Sequence, residues 1–260
     1  AGHEGTAGVI GTKLPRRAVL SPNIEPRAAG KFPKFLILHY TGMETADIAC
    51  NWLCVPESRV SCHYLIDEQG GIVQMVGEEM RAWHAGVSSW EGETDINSCS
   101  IGIEIHNSGH GGDYADFPAT QMRVVAALSR DIVQRHGILP QHVLAHSDIA
   151  PGRKIDPGEK FDWRFLHGEG VGHWVPPAAI SSGAYLQQGD GGTTVLGLQG
   201  LLKMYGYGID LTGEYDERTR VVVEAFQRHF RPTRVDGVAD QSTIATLHAL
   251  LQARPAGAAA

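Results

Sequence analysis

The segment from Ser100 to Ile105 constrains the fold more than any other part of the sequence. Its isoleucines, at positions 101, 103 and 105, alternate with Gly102 and Glu104. Successive side chains of a β-strand point to opposite faces, so the isoleucines pack on one face while Glu104 points out of the other. A carboxylate within so apolar a strand is costly unless it has a partner or a shifted pKa. The segment therefore predicts a buried strand whose single acidic side chain has a specific role.

Further strands and one long helix accompany this segment. Buried strands are predicted at 35–38, 63–66, 71–76 and 143–145, with the second and third joined as a hairpin. Apolar and small residues at helical spacing between Pro118 and His136, closed by Gly137, predict a helix. Strands that alternate with helices indicate an α/β fold, in which helices flank a mixed central β-sheet.

The C-terminal part of the chain has a different pattern. Two near-repeats each place an aspartate, Asp216 or Asp240, before an apolar helical run, where a helix N-cap is expected. A third helical run at 195–204 precedes them, so this region reads as a small three-helix domain. The predicted organisation is an extended arm at 1–30, an α/β domain at 31–177, a loosely composed linker at 178–192 and the three-helix domain at 193–254.

Composition disfavours several classes of function. The 22 Lys and Arg residues against 29 Asp and Glu residues give a net charge of −7, whereas nucleic-acid binding needs a basic surface. No apolar stretch approaches the roughly 20 residues that span a bilayer. The first residues show neither the basic nor the apolar part of a signal peptide, so we expect an export signal to be absent or already removed. The four cysteines are expected to be free thiols.

Two histidines directly follow predicted buried strands. His39 comes after the strand at 35–38, and His146 comes after the strand at 143–145. The ends of parallel strands meet in one crevice, where ligands bind, so we expect the two imidazoles to converge. Asp156 lies ten residues beyond His146 in a turn that Pro157 and Gly158 define. Two imidazoles and a carboxylate form a zinc site of the catalytic kind, with a fourth position open to water.

Two further side chains suit amide hydrolysis at such a site. Glu104 can take a proton from water and pass it to the leaving amine. Lys154 offers a fixed positive charge to the oxyanion of a tetrahedral intermediate. The pattern predicts metal-assisted hydrolysis of an amide. Spacing alone leaves four other histidines open as metal ligands, namely His63, His84, His106 and His136.

Five sequence blocks occur in one order over about half of the chain: ILHYTG at 37–42, VSCHYLID at 60–67, AWHAG at 82–86, SIGIEIHN at 100–107 and LAHSDIAPGRKIDPGEKFDW at 144–163. Together they closely resemble the zinc-dependent N-acetylmuramoyl-L-alanine amidases of the AmpD/AmiD type, which share their fold with peptidoglycan recognition proteins. The three-helix domain is similar to the peptidoglycan-binding domain of wall hydrolases, including the turn from Asp236 to Thr243.

The resemblance implies a role for each candidate residue. Its zinc ligands fall on His39, His146 and Asp156, its catalytic residues fall on Glu104 and Lys154, and its matched blocks suggest substrate contacts from His63, Trp83, His84, Asn107 and Arg153. The implied cofactor is Zn²⁺. The implied substrate is the amide between N-acetylmuramic acid, including its 1,6-anhydro form, and L-alanine in peptidoglycan or muropeptides.

The resemblance also implies a setting. We expect a monomer that acts in cell-wall turnover or recycling in the periplasm or cell envelope, with the cytoplasm as the alternative. Removal of residues 193–254 is expected to weaken binding to polymeric wall and to spare small muropeptides. Two other functions stay open, a non-catalytic peptidoglycan receptor on the same fold and a zinc peptidase that cuts within the stem peptide. The simultaneous presence of Glu104 and Lys154 argues against the receptor.

Overall fold

The computed structural model describes residues 9–255. Its strands, in chain order, are β1 (Arg17–Ala18), β2 (Ile24–Pro26), β3 (Phe35–Tyr40), β4 (Tyr64–Ile66), β5 (Ile72–Gln74), β6 (Met80–Ala82), β7 (Ser100–Ile105) and β8 (Val143–Ala145). Its helices are α1 (Ala46–Leu53), α2 (Ala119–His136), α3 (His146–Ile149), α4 (Trp163–Gly168), α5 (Thr193–Tyr205), α6 (Glu217–Phe230) and α7 (Gln241–Ala253).

Six of the strands form one twisted sheet in the order β1-β5-β4-β7-β3-β8. Only the β4–β5 hairpin is antiparallel, and the other neighbours run parallel. Strands β2 and β6 pair separately as a short antiparallel ribbon. The carboxyl ends of β3, β7 and β8 therefore lie side by side, because all three strands point the same way.

The two faces of the sheet have different coverings. Ile101, Ile103 and Ile105 belong to a core with the buried face of α2, which includes Val125 and Ile132. On the opposite face, Leu65 and Val73 pack against the buried side of α1, and Phe35, Ile37 and Leu144 join a second core. The part of this face that carries His39 and Glu104 lies between these two coverings and borders a cavity.

The second core is shared between the sheet and the C-terminal helices. Phe35, Ile37 and Ile149 belong to the same cluster as Val222 and Phe226 of α6. Trp90 is fully buried in it, with its ring centroid 4.8 Å from that of Tyr207. Gly206 has a φ of 141°, and a Cβ built there would lie 2.4–2.7 Å from atoms of the Trp90 ring. A glycine is therefore needed where α5 ends against this tryptophan.

The predicted fold class, a mixed α/β sheet followed by three helices, is confirmed. Asp216 and Asp240 cap α6 and α7 as predicted, since each carboxylate accepts a backbone N–H bond at 2.8 Å, from Thr219 and Thr243. The predicted domain limits stay predictions. The predicted arm at 1–30 includes β1 and β2, which the sequence did not indicate, and its first eight residues lie outside the described part of the chain.

Two expectations from composition can be compared with the structure. The four cysteines are free thiols, and three of them are buried. Within residues 9–255, no helix combines the length and the apolar character that crossing a membrane requires.

Candidate metal centre and active-site cavity

The register of the parallel strands brings the predicted site residues together. Strand β3 pairs with β7 so that His39 lies opposite Glu104. It pairs with β8 so that Leu38 lies opposite Ala145, which places His146 beside His39 at the start of α3. Side chains paired across neighbouring strands lie on the same face of a sheet. His39, Glu104 and His146 therefore come from three adjacent strand ends.

Asp156 joins the two histidines to form one cluster. Nδ1 of His39 and Nδ1 of His146 are 2.9 Å apart. Oδ2 of Asp156 lies 3.3 Å from the first nitrogen and 3.1 Å from the second. Within the described residues this is the one group of three or more His, Cys, Asp or Glu side chains that could hold a metal ion. All three residues are buried.

The hydrogen bonds around the cluster show that it suits a cation. His146 Nε2 lies 3.1 Å from the carbonyl of Ala85 and donates its N–H there, so its Nδ1 presents a lone pair. That lone pair faces a carboxylate oxygen and another ring nitrogen. The three electron-pair donors lie 2.9–3.3 Å from one another. Ligands about 2.0–2.2 Å from a tetrahedral zinc ion lie about 3.3 Å from one another, so the two spacings are similar. The donor set therefore fits a zinc ion with one position left open.

His84 fixes the orientation of the other imidazole. Its Nδ1 lies 2.9 Å from His39 Nε2, and its Nε2 lies 3.1 Å from the hydroxyl of Ser100. His84 can thus accept the His39 N–H and donate its own to Ser100, which leaves His39 Nδ1 free for a metal. Burial lowers the pKa of His39 to about 4, so this imidazole is neutral at pH 7.

Gly102 makes this arrangement sterically possible. The His84 ring packs directly on β7, and a Cβ built on Gly102 would lie 2.6–2.8 Å from the ring atoms. Any larger residue between Ile101 and Ile103 would displace the imidazole. The glycine of the Ser100–Ile105 segment therefore has a packing role beside the metal cluster.

Glu104 has no hydrogen-bond partner for one of its carboxylate oxygens. Oε2 is buried and unpaired among the described residues. Burial, together with the negative charge of Asp156, raises the pKa of Glu104 well above its ordinary value, while Lys154 acts in the opposite direction. A carboxyl group with a raised pKa next to an open cavity is suited to exchanging protons with a bound molecule.

A cavity of about 330 Å³ opens at the cluster. Glu104, His146, Lys154 and Asp156 all line it, and the side chain of Lys154 is exposed. Its other walls come from the end of β3 and the residues after it, from α1, from the segment before β4 and from the segment after β6: Tyr40, Thr41, Gly42, Met43, Ala49, Trp52, Leu53, Val60, Ser61, Trp83 and His84. One end of the cavity is therefore charged, and the walls beyond it are largely apolar and aromatic.

Comparisons with known proteins show the family to which the chain belongs. Residues 29–159 match the N-acetylmuramoyl-L-alanine amidase family, and residues 191–247 match a putative peptidoglycan binding domain. The N-acetylmuramoyl-L-alanine amidase AmiD of Escherichia coli is 37% identical over 262 residues, covering 95% of this chain and 93% of AmiD. The chain belongs to the N-acetylmuramoyl-L-alanine amidase family. The prediction that it is an amidase is thereby confirmed.

Solved structures of other amidases have the same fold. The complex of Escherichia coli AmiD with anhydro-N-acetylmuramic acid-L-Ala-D-gamma-Glu-L-Lys gives a TM-score of 0.73 at 37% identity, covering 88% of this amidase and 93% of that chain. AmpDh3 from Pseudomonas aeruginosa gives a TM-score of 0.71 at 31% identity, covering 92% of this amidase and 99% of that chain. The AmpD amidase of Citrobacter freundii is 33% identical over 164 residues, which are 56% of this amidase and 86% of AmpD.

The five predicted substrate contacts occupy different places in this amidase. Trp83 and His84 line the cavity, although both ring nitrogens of His84 already face protein groups. His63 is fully buried, accepts the Gly102 N–H and donates to the Met80 carbonyl. A substrate contact by Trp83 stays a prediction, and the position of this residue in the cavity wall favours it.

The other two predicted contacts face protein groups as well. The guanidinium of Arg153 donates to the carbonyls of Ala85 and Val87. The buried side chain of Asn107 donates to the Ala115 carbonyl and accepts the Gly109 N–H. Neither residue lines the cavity, and their contacts indicate that they shape its surrounding loops.

The sequence interpretation missed several residues of the cavity wall. Tyr40 and Thr41 directly follow His39, so their place after a buried strand was a usable signal. Met43 and Trp52 carry no comparable signal, because they reach the cavity only through the packing of α1 and of the loop before it against the sheet. The role of His84 as the partner of His39 also depends on a contact between residues 45 positions apart.

Proposed function

We propose that this amidase uses a zinc ion held by His39, His146 and Asp156 to cleave the amide between the lactyl group of N-acetylmuramic acid and L-alanine. The observation that supports this most is the convergence of three ligand atoms within 2.9–3.3 Å, beside an unpaired carboxylate and an open cavity. The 1,6-anhydro form is included because AmiD and AmpDh3 have been solved with anhydromuramyl peptides.

The residues divide the chemistry between them. Zinc, when bound, supplies Lewis acidity that polarises the amide carbonyl and activates water. Glu104 accepts a proton from the attacking water as the water oxygen bonds to the carbonyl carbon. It then returns the proton to the amide nitrogen as the C–N bond breaks, giving a lactyl carboxylate and the free amine of the peptide. Lys154 stabilises the negative charge that develops on the carbonyl oxygen.

The electrostatics of the site support these roles. The low pKa of His39 keeps a lone pair available for the metal at neutral pH. The raised pKa of Glu104, caused by burial and by the negative charge of Asp156, means that this carboxyl group holds a proton more tightly than an exposed glutamate does. The largely apolar and aromatic walls suit the sugar ring, while Lys154 and the proposed ligands His146 and Asp156 line the part of the cavity where the scissile amide would bind.

The remaining assignments follow from the same proposal. The C-terminal region, 193–254, binds polymeric peptidoglycan, as its match to a putative peptidoglycan binding domain suggests. The enzyme acts in wall turnover or recycling in the periplasm or cell envelope, and it acts as a monomer.

Mass spectrometry of a defined anhydromuramyl tripeptide tests the proposal. The protein is incubated with it as purified, after chelation, and after zinc is restored, with Glu104→Gln as the inactive variant and Glu57→Gln, on the surface, as its matched control. We expect free anhydro-sugar and intact peptide, lost on chelation and regained with zinc. Fragments cut within the peptide would identify a peptidase instead, and binding without cleavage under all conditions would identify a receptor.

A further inference from the structure

Asp148 is a fully buried carboxylate two residues after the metal ligand His146. One of its oxygens, Oδ2, accepts the backbone N–H of Ala145 at 2.8 Å. That amide belongs to the residue immediately before His146. Asp148 therefore fixes the turn in which β8 passes into α3 and from which the His146 side chain projects.

The other two hydrogen bonds of this carboxylate come from the C-terminal helices. His229 of α6 lies with Nδ1 2.6 Å from Oδ2, and the Tyr207 hydroxyl, just after α5, donates to Oδ1 at 2.7 Å. A buried carboxylate without donors is strongly destabilised. Asp148 thus depends on two residues more than 50 positions away for most of its stabilisation.

Packing holds both donors in place. The His229 ring is stacked between Trp163, with centroids 3.7 Å apart, and Phe230, with centroids 3.8 Å apart. Tyr207 is almost fully buried with its ring against Trp90. The two donors therefore have little freedom to turn away from Asp148.

Helix α6 touches the same segment a second time, closer to the other catalytic residues. Arg218 donates to the carbonyl of Pro151 at 3.1 Å, and Val221 lies so close to Gly152 that a Cβ there would be 3.1 Å from its methyl group. Both contacts lie between His146 and Lys154. The helix therefore backs the stretch of chain that carries His146, Lys154 and Asp156.

We propose that Tyr207 and His229 are positioning residues for the metal ligand His146 and act on it through Asp148. The C-terminal helical region is on this view a structural part of the catalytic centre, in addition to any wall binding. The inference rests on the proposed metal site. It is opposite to the sequence expectation that small muropeptides are cleaved normally without residues 193–254.

Point variants of the full chain test this without removing the helices. Tyr207→Phe and His229→Leu each delete one donor to Asp148. His229→Asn restores it, because its Nδ2 occupies roughly the place of the imidazole Nδ1. Tyr215→Phe is the matched control, since it deletes a buried tyrosine hydrogen bond, 2.7 Å long to Gly237, that does not reach α3.

Four quantities are measured on each variant: zinc affinity by competition with a chromophoric chelator, the absorption spectrum of the Co²⁺ form, kcat and KM on a soluble anhydromuramyl tripeptide, and Tm. For Tyr207→Phe and His229→Leu we expect zinc affinity and kcat to fall about 10- to 100-fold with KM nearly unchanged, and the Co²⁺ spectrum to change. His229→Asn regains most of this loss. Tyr215→Phe lowers Tm but keeps zinc affinity and kcat.

Two results overturn the inference. The first is a Tyr207→Phe variant with the zinc affinity and kcat of the wild type. Because this substitution removes only a hydroxyl group, the result counts even if His229→Leu fails to fold. The other is an equal loss in Tyr215→Phe, which would make the effect one of general stability. A wild-type protein that binds zinc but leaves the tripeptide intact would contradict the proposed function alone, because the affinity and spectral comparisons still decide the positioning role. A wild-type protein that binds no zinc contradicts both.

Discussion

Nε2 of His39 lies 2.9 Å from Nδ1 of His84, so one buried imidazole holds the orientation of another. The bond continues to the hydroxyl of Ser100, 3.1 Å from His84 Nε2. Both rings are neutral at pH 7 because burial lowers their pKa values. Because both rings are neutral, Nδ1 of His39, which faces the metal cluster, carries no proton and can offer its lone pair to a metal ion.

Removing this partner weakens metal binding. In His84→Leu the His39 N–H loses its acceptor, and we expect zinc affinity to fall about 10- to 100-fold. His84→Asn places an amide oxygen near the lost acceptor and recovers part of the affinity. His142→Ala, at an imidazole that faces Glu91 away from the cluster, is the control. Unchanged zinc affinity in His84→Leu, measured by chelator competition, would show that His39 does not need this bond.

Glu104→Gln separates proton transfer from metal binding. The amide keeps the shape of the side chain but cannot accept a proton, so we expect kcat to fall about 10²- to 10⁴-fold. Zinc content, measured by atomic absorption, stays near one per chain because Glu104 is not among the three ligand atoms. A variant with normal kcat would remove Glu104 from the mechanism, and one without zinc would show that it acts as a ligand.

Glu78 makes a contribution to the free energy of unfolding that is lost at acid pH. Burial alone would raise its pKa, but hydrogen bonds from Arg135, His136 and Tyr64 outweigh this and lower it to about 2. A carboxyl whose pKa is lower in the folded state stabilises that state fully above its unfolded pKa of about 4.5. This contribution, about 3 kcal/mol, declines below pH 4.5 and is gone below about pH 2.

The comparison of wild type with Glu78→Gln checks this. Urea unfolding between pH 2 and 7 should show that the variant is less stable at pH 7 and that the difference narrows as the pH falls through 4.5. A difference that is constant over this range would mean that the pKa of Glu78 is not lowered by folding.

Gly206→Ala tests the shared core at its tightest point. The new Cβ would lie 2.4–2.7 Å from the Trp90 ring, at a φ of 141° that alanine rarely adopts. We expect the free energy of unfolding to fall by about 3 kcal/mol or more, measured by urea denaturation. Gly200→Ala in α5 is the control, because its Cβ meets nothing within 4 Å and a helical alanine is expected to be neutral or stabilising. Equal effects of the two substitutions would contradict the proposed clash.

Much of the fold could be predicted because its signals are local. The alternation of Ile101, Ile103 and Ile105 predicts a strand whatever lies next to it. His39 and His146 could be brought together by one general rule, that parallel strands end at the same edge of a sheet. By contrast, β1 and β2 have two and three exposed residues, and such short edge strands have no period to detect.

The contacts of individual polar side chains could not be predicted in this way. His63, Asn107 and Arg153 lie in the matched blocks, but their hydrogen bonds go to protein groups that only the folded chain brings near. The same limit applies to Phe226. The helical spacing of the apolar residues around it shows that one face of α6 is buried, but it does not show that Ile149 and Trp90 help to cover that face. A residue pattern specifies that a surface is buried, and the partner depends on the tertiary fold.

The insertion of Trp90 among the C-terminal helices also limits how such a chain can be recombined. The backbone N–H of Glu91 donates to the Gly206 carbonyl, and the Trp90 ring fills space that only a glycine at that position leaves. A chimera that replaces residues 193–253 with the helices of another wall-binding protein would remove Gly206 and the other residues that pack around the Trp90 ring. Exchange of the helices therefore requires that the loop around Trp90 be exchanged with them. The unit that can be transferred as a whole thus includes residues from both the α/β part and the C-terminal helical region.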